Sequence, residues 1–183
     1  MNNFYIETTK MVASMMNIQS SEKPLSMFKI FKPTEKKLRF LAQHLLDGYL
    51  NLPDEKRNRE NINSIIRHYF YAGNKNLYYE VGNFGAILGF VNIVFGYKCE
   101  VHMKFWDKNV WSKGSVREAK ELIKTIKNQF RLEKLTTETS DKRVVKMAEI
   151  MGFEIEEIKP LDFCWNGEFF PTYIMSIINN KED

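Results

Sequence analysis

One segment, from Cys99 to Phe130, limits what this chain can fold into more than any other. It begins KCEVHMKF from Lys98, and its side chains alternate. Glu100, His102, Lys104 and Trp106 fall on one side, and Cys99, Val101, Met103 and Phe105 on the other, which is the period-two pattern of a strand. The segment ends in a helical pattern. Val116, Ala119, Leu122, Ile123, Ile126 and Phe130 recur at three- and four-residue steps and form one apolar face. Between the two lies Trp111-Ser112-Lys113-Gly114-Ser115. A strand that leads through a glycine turn into a helix start is suited to an anion, because the first N–H groups lack helical partners and the helix dipole favours negative charge there.

The flanking sequence extends this unit on both sides. Residues 1–26 read as an arm, with Met11, Val12, Met15, Met16 and Ile18 on an apolar side and Pro24 breaking the pattern. The arm either packs on its own domain or docks on a partner or a second copy. Residues 27–183 form the domain. Met27–Phe31 is a short strand, and Thr34 caps a helix carrying Leu38, Leu41 and Leu45. Ile62, Ile65, Ile66, Tyr69 and Phe70 mark a second helix, stopped at Gly73-Asn74. Strands follow at Leu77–Val81 and at 86–95, the latter interrupted by Gly89. After the central helix come a strand at 132–137, a helix capped near Thr139-Ser140-Asp141 and stopped by Gly152, and a strand at 154–158. Asn166-Gly167, flanked by Phe163-Cys164-Trp165 and Glu168-Phe169-Phe170, is a strong hairpin signal, and 173–178 continues the last strand. The order β-α-α-β-β-β-α-β-α-β-β implies an α/β domain with one mixed sheet and helices on both faces.

Composition narrows the class of function. A chain of 183 residues that is 44% hydrophobic and 27% charged is long enough for a real core and reads as soluble. It has no apolar run of about 18 residues and no basic segment followed by an apolar one at its start, so neither a membrane span nor a secretory signal is expected, and the location expected is cytoplasmic. The two cysteines, Cys99 and Cys164, lie in apolar strand-like runs and read as reduced core residues, with no metal cluster. The net charge of +4 is compatible with an anionic ligand and too small to argue for nucleic acid.

Three stretches in this order carry a resemblance. Ala86-Ile87-Leu88-Gly89-Phe90 is similar to a third-strand pattern, Trp111-Ser112-Lys113-Gly114-Ser115-Val116 stands where a Q/R-x-x-G-x-G/A motif would stand, and Met147 to Phe153 is similar to the end of a fourth helix. Together they resemble the GCN5-related N-acetyltransferases, the GNAT family, over about residues 27–178. The resemblance implies a sheet whose fourth and fifth strands run parallel and splay apart at one end. It also implies acetyl-coenzyme A as the acyl donor, held by Ser112, Lys113, Gly114, Ser115, Val116 and Arg117 around its pyrophosphate. Trp106 would pair with pantetheine as a pseudo-strand, and Trp111 would stack on the pantetheine path or block it. The departures are Trp111 for the motif's Gln/Arg, Val116 for its last Gly/Ala, and Ala148 where many members carry a thiolate-protonating tyrosine.

Amine acylation needs a base for the ammonium proton and a donor for the thioester oxygen. By the family's spacing Glu100 is the base, with His102 on the same strand face, and the backbone N–H of Lys104 faces the thioester oxygen. Alternatively, Glu100 pairs with Lys98 or Lys104 across solvent. Ser115-x-x-Glu118 also reads as a capping box. Arg117, Lys120, Lys124, Lys127 and Arg131 form a basic stripe that would meet the 3′-phosphate of coenzyme A near Arg117, or nucleic acid along its length. Interleaved by Glu118, Glu121 and Glu133, it reads foremost as a solvated face.

The expected activity is direct acetyl transfer from acetyl-coenzyme A to a small-molecule or protein amine, gripped by the first two helices and the final hairpin. The alternative is a non-catalytic GNAT-like binding or assembly protein, favoured by the degraded motif and the arm. It rests on a loose resemblance of the C-terminal half to GNAT-like proteins of tailed phages, and would place the chain in a virion with an assembly partner or a second copy on residues 1–26.

Overall fold

The computed structural model describes residues 27–71 and 76–178. The arm at 1–26 and the Gly73-Asn74 stop lie outside the described residues. The element order is β1 (Phe28–Ile30), α1 (Glu35–Asp47), α2 (Arg59–Tyr71), β2 (Leu77–Val81), β3 (Ala86–Val94), β4 (Lys98–Phe105), α3 (Lys113–Gln129), β5 (Lys134–Thr139), α4 (Lys142–Ile150), β6 (Glu154–Trp165) and β7 (Glu168–Ile178). The strands form one sheet in the order β1-β2-β3-β4-β5-β7-β6. Among the described residues only β4 and β5 run parallel, joined by the α3 crossover, and every other neighbouring pair is antiparallel.

The two sheet faces carry separate cores. One packs Leu88, Phe90, Cys99, Val101 and Met103 under Ala119, Leu122 and Ile126 of α3 and Val145 and Ala148 of α4. The other packs Phe31 and Ile87 under Leu38 and Leu41 of α1 and Ile62 and Ile66 of α2. The alternation along β4 is therefore real, and its even-numbered side chains face α1 and α2. No helix among the described residues is long and apolar enough to cross a membrane.

Several local expectations hold and several shift. Thr34 caps α1 through the Lys37 N–H. Asn166 and Gly167 both take positive φ, 52° and 77°, as a tight hairpin turn of the favoured hand requires. The expected break at Gly89 is absent. The strand runs on, and the missing side chain makes room for the Tyr78 ring, which a Cβ would meet at 2.5 Å. The break falls three residues later, where Asn92 at φ 53° marks a bulge. Helix α3 starts earlier than expected. Its capping box is Ser112 with Ser115, because each hydroxyl accepts the other's backbone N–H, and Glu118 instead accepts from the Met27 N–H at 2.9 Å. Cys164 is not a core residue. It is half-buried and points its thiol at Asp54, 3.4 Å away, whereas Cys99 is buried and its thiol is pushed up to about 12 by that burial, aided by Glu100.

Candidate functional site

The parallel pairing is short. Lys98, Cys99 and Glu100 face Lys134, Leu135 and Thr136, and there the β4–β5 ladder ends. Beyond it β5 pairs only with β7, out to Thr139 opposite Tyr173. The two strands thus splay, as the crossover pattern and the resemblance implied. Which backbone groups face the opening follows from the β3–β4 register. Gly85 accepts the Trp106 N–H at 3.1 Å, so that pair is of the hydrogen-bonded kind, and alternation makes Ile87–Lys104 and Gly89–His102 the same kind. The N–H and C=O of His102 and Lys104 therefore point to β3. Those of Met103 and Phe105 point into the splay. The sequence expectation for the Lys104 and Trp106 N–H groups is corrected by one residue: both are committed to β3, and their odd-numbered neighbours offer the free edge.

Above the splay, on the α1/α2 face, lies a cleft of about 1130 Å³. Leu41, His44 and Leu45 of α1 and Ile65, Ile66 and Tyr69 of α2 form one wall, and Thr172 and Ile174 of β7 the other. A clasp joins the walls. Asp54, in the α1–α2 connection, accepts the N–H groups of Asn166 and Gly167 in the hairpin at 3.0 and 2.9 Å. Arg57 reaches both Asp54 and Asn166, at 2.7 Å each, and lies 5.4 Å from the Trp165 ring, while Tyr49 packs edge-on against Trp165. The Gly167 and Asn166 bonds hold the Asp54 carboxyl below the ordinary carboxylate range.

The cleft floor is the even face of β4. Glu100 Oε2 lies 3.4 Å from His102 Nε2, and Glu100 Oε1 accepts from Asn92 Nδ2 at 3.0 Å. The bulge that displaces Asn92 is thus what aims it at Glu100. The His102 bond, with Asn92's and against some burial, holds the Glu100 carboxyl below its usual range. Tyr69 lies edge-on to His102 at 5.4 Å, and burial, reinforced by Glu100, raises its hydroxyl. Tyr78, whose ring also lines the cleft, has a buried hydroxyl with no partner among the described residues. Lys104 sends its ammonium to Asn51 Oδ1 at 3.1 Å, and burial pulls it down to about 8, with Asp141 opposing. His44 is lowered by burial and then by Lys104. At the far wall, burial works against the charge of Asp141, but the side-chain and backbone hydrogen bonds from Arg143 prevail and keep the carboxyl low.

The Trp111–Arg117 stretch stands apart from this floor. Ser112, Lys113, Gly114 and Arg117 are exposed at the start of α3, while Ser115 is buried in its cap and the Val116 N–H is already bonded to the Ser112 carbonyl at 3.0 Å. The N–H groups of Lys113 and Gly114 are the ones a helix start leaves without a helical acceptor. A Cβ on Gly114 would meet only Ser112 Oγ, at 3.5 Å. Trp111 is edge-on to Phe105 at 5.8 Å, its indole N–H buried without a partner among the described residues. Trp106 donates its indole N–H to the Phe84 carbonyl at 2.7 Å and packs against His44. Ala148 is buried in the core beneath α4 and cannot supply an acid to the cleft. Sequence reasoning missed His44, Asn51, Tyr69 and the Asp141–Arg143 pair, and took Lys104 for its backbone. The period-two pattern that placed Lys104 beside Glu100 was the signal for its side chain.

No protein-family model matches the chain, and no curated protein sequence does. Solved structures do match. A spermidine N-acetyltransferase from Vibrio cholerae, in complex with CoA and spermine, superposes with a TM-score of 0.60 at 15% identity, over 84% of this chain and 96% of that one. The fold is the GNAT fold. A structure described as a probable acetyltransferase gives a TM-score of 0.62 at 17% identity over 84% and 94% of the two chains. A dodecameric form of the Vibrio cholerae enzyme gives 0.56 at 17% identity over 86% and 99%. At these identities the likeness fixes the GNAT fold and its β4–β5 splay, and the chemistry rests on this chain's own side chains.

Proposed function

We propose that the chain is an N-acyltransferase that moves the acetyl group of acetyl-coenzyme A directly to an amine. The observation that carries this reading is the splay. Two free backbone edges, at Met103 and Phe105, open beside a cleft floored by a hydrogen-bonded Glu100–His102 pair. The residues present fit the coenzyme. An extended pantetheine matches a free strand edge. The Lys113 and Gly114 N–H groups, with open space over Gly114 and the exposed Lys113 and Arg117 side chains beside them, suit its phosphates. The orphaned Trp111 indole N–H lies next to Phe105, on the path between the two. The coenzyme supplies an activated thioester.

The protein's own groups do the rest. The Met103 and Phe105 edge would hold the donor and direct an N–H at the developing oxygen charge. The Glu100 carboxylate fixes the His102 ring, and the pair takes the proton that the amine must lose, directly or through water. Walls from α1, α2 and β7, tied by the Asp54 clasp, limit access of water. The spermidine N-acetyltransferases among the structural neighbours point to amines as the acceptor class, and the dodecameric form of one makes assembly a matter to measure. The alternative of a non-catalytic assembly module has no independent support from the cleft, whose floor is lined with paired ionisable groups. The test is a calorimetric titration with acetyl-coenzyme A, followed by release of free thiol on adding amines. Micromolar binding with amine-dependent thiol release is expected. Absence of binding at millimolar coenzyme overturns the reading.

A further inference from the structure

The charges lining the cleft are unevenly matched. Lys134 faces Glu156, with Nζ 2.7 and 2.8 Å from its two carboxylate oxygens, and Arg143 holds Asp141. Glu100 is held by His102 and Asn92, and Lys56 and Glu138 are exposed at the cleft's lining. Lys104 differs. It sits part-buried on the floor, and among the described residues its ammonium has an amide oxygen for a partner and no carboxylate at ion-pair distance. Asp141 acts on it from farther away but is engaged by Arg143.

The amide is there by construction. Gly48 ends α1, and a Cβ on it would lie 1.8 Å from Asn51 Nδ2, so the Asn51 side chain occupies space that only glycine leaves. Asn51 Nδ2 donates to the His44 carbonyl at 3.0 Å, which turns Oδ1 toward Lys104. An ammonium taken out of water and given one neutral acceptor is costly unless an anion completes its surroundings. Among the described residues its neighbours do not provide one at ion-pair distance: His44 and Trp106 pack together on the same side of the cleft.

We infer that Lys104 is the receptor for a carboxylate on the acceptor, so that this cleft takes amines that also carry a carboxylate and disfavours polyamines. This rests on the acyltransferase reading. With the amine at the Glu100–His102 pair and the carboxylate at Lys104, positions two to four residues apart on one strand, the span is on the order of 7–13 Å, which suits an extended amino acid reacting at its distal nitrogen.

The experiment compares pairs of amines that differ by one carboxylate, lysine against cadaverine and ornithine against putrescine, in the thiol-release assay. Wild-type protein and Lys104→Met are run side by side. The wild type is expected to favour the carboxylate-bearing member in kcat/KM by about ten- to a hundredfold, the worth of a hydrogen bond to a charged group. Lys104→Met is expected to bring that ratio near one. The ratio is taken within each protein, so partial misfolding does not move it. A second arm needs no turnover: thermal shift of the protein alone with 5-aminovalerate or pentylamine, where only the acid should stabilise, and only the wild type. A wild type that prefers cadaverine and putrescine, or a ratio unchanged in Lys104→Met, overturns the inference while leaving the acyltransferase intact. Thiol release from no amine, together with acid-specific stabilisation, overturns the acyltransferase reading and leaves the carboxylate site.

Discussion

Lys104→Met should make the unliganded protein more stable near neutral pH, and the gain should vanish in alkali. An ordinary lysine titrates at 10.5 and Lys104 at about 8, because burial disfavours its charge. At 1.36 kcal/mol per pKa unit, the buried charge costs the folded state about 3 kcal/mol below pH 8. Replacing it with methionine removes that cost and leaves Asn51 Oδ1 without its donor, a loss of about 1–2 kcal/mol. The net gain is about 1–2 kcal/mol, or a rise in Tm of about 3–6 °C for a chain of this size. The sign with pH follows from proton counting. Between pH 8 and 10.5 the unfolded chain holds more protons on this lysine than the folded chain does, so wild-type stability rises with pH across that window and the variant lacks this rise. Differential scanning of both proteins at pH 7 and pH 10 should show the variant ahead at 7 and level or behind at 10. Other groups titrate in the same range but are common to both proteins and cancel in the difference. A variant less stable at pH 7, or a difference that does not change with pH, would refute the burial argument and with it the case for a missing anion.

Glu100→Gln should leave acetyl-coenzyme A affinity unchanged and lower kcat by about 10²–10⁴-fold, read by titration and thiol release on the same preparation. Gly114→Glu should abolish coenzyme binding by placing bulk and negative charge at the α3 start, while Tm stays within about 0.5 kcal/mol equivalent, because the site is open and the backbone there is not left-handed. Asp54→Ala should release the hairpin from the α1–α2 connection and raise the acceptor KM several-fold with little effect on coenzyme affinity, as initial-rate kinetics would show. Gly48→Ala should push Asn51 off Lys104 and weaken the carboxylate preference, measurable as the lysine-to-cadaverine ratio.

The sequence reveals as much as local periodicity carries. Period two along Cys99–Phe105 and the three-and-four spacing from Val116 to Phe130 are written in neighbouring residues; β4 formed where the pattern put it, and α3 formed with the expected apolar face but begins three residues earlier, at Lys113. The parallel pairing followed from the helix between them, and the splay from the family resemblance. What escaped depends on contacts between distant parts. Which edge of β4 an N–H faces is set by the Gly85–Trp106 bond, so the N–H groups facing the splay are those of Met103 and Phe105 and not that of Lys104. The clasp joins Asp54 to Gly167, 113 residues on, and neither residue is unusual in its own neighbourhood. The α3 cap was misplaced because Ser112 and Ser115 form a reciprocal box without the glutamate that makes such boxes recognisable in sequence.

These two kinds of legibility match a division of labour on β4. Odd-numbered residues present backbone to the splay, and the α3 start adds more backbone, so what this side offers a ligand depends little on side-chain identity. That is how Trp111 and Val116 can replace motif residues while the turn and the helix start persist, with a Cβ at Gly114 in no more than ordinary contact with Ser112 Oγ. Even-numbered residues present side chains to the cleft. There a single exchange alters what binds, and the burial cost of Lys104 is the kind of stability loss that a functional site sustains. A chain can therefore keep the backbone side of this fold while its side-chain face is rewritten, and under the proposed acyltransferase reading specificity is to be sought in Glu100, His102, Lys104 and the residues that pack around them.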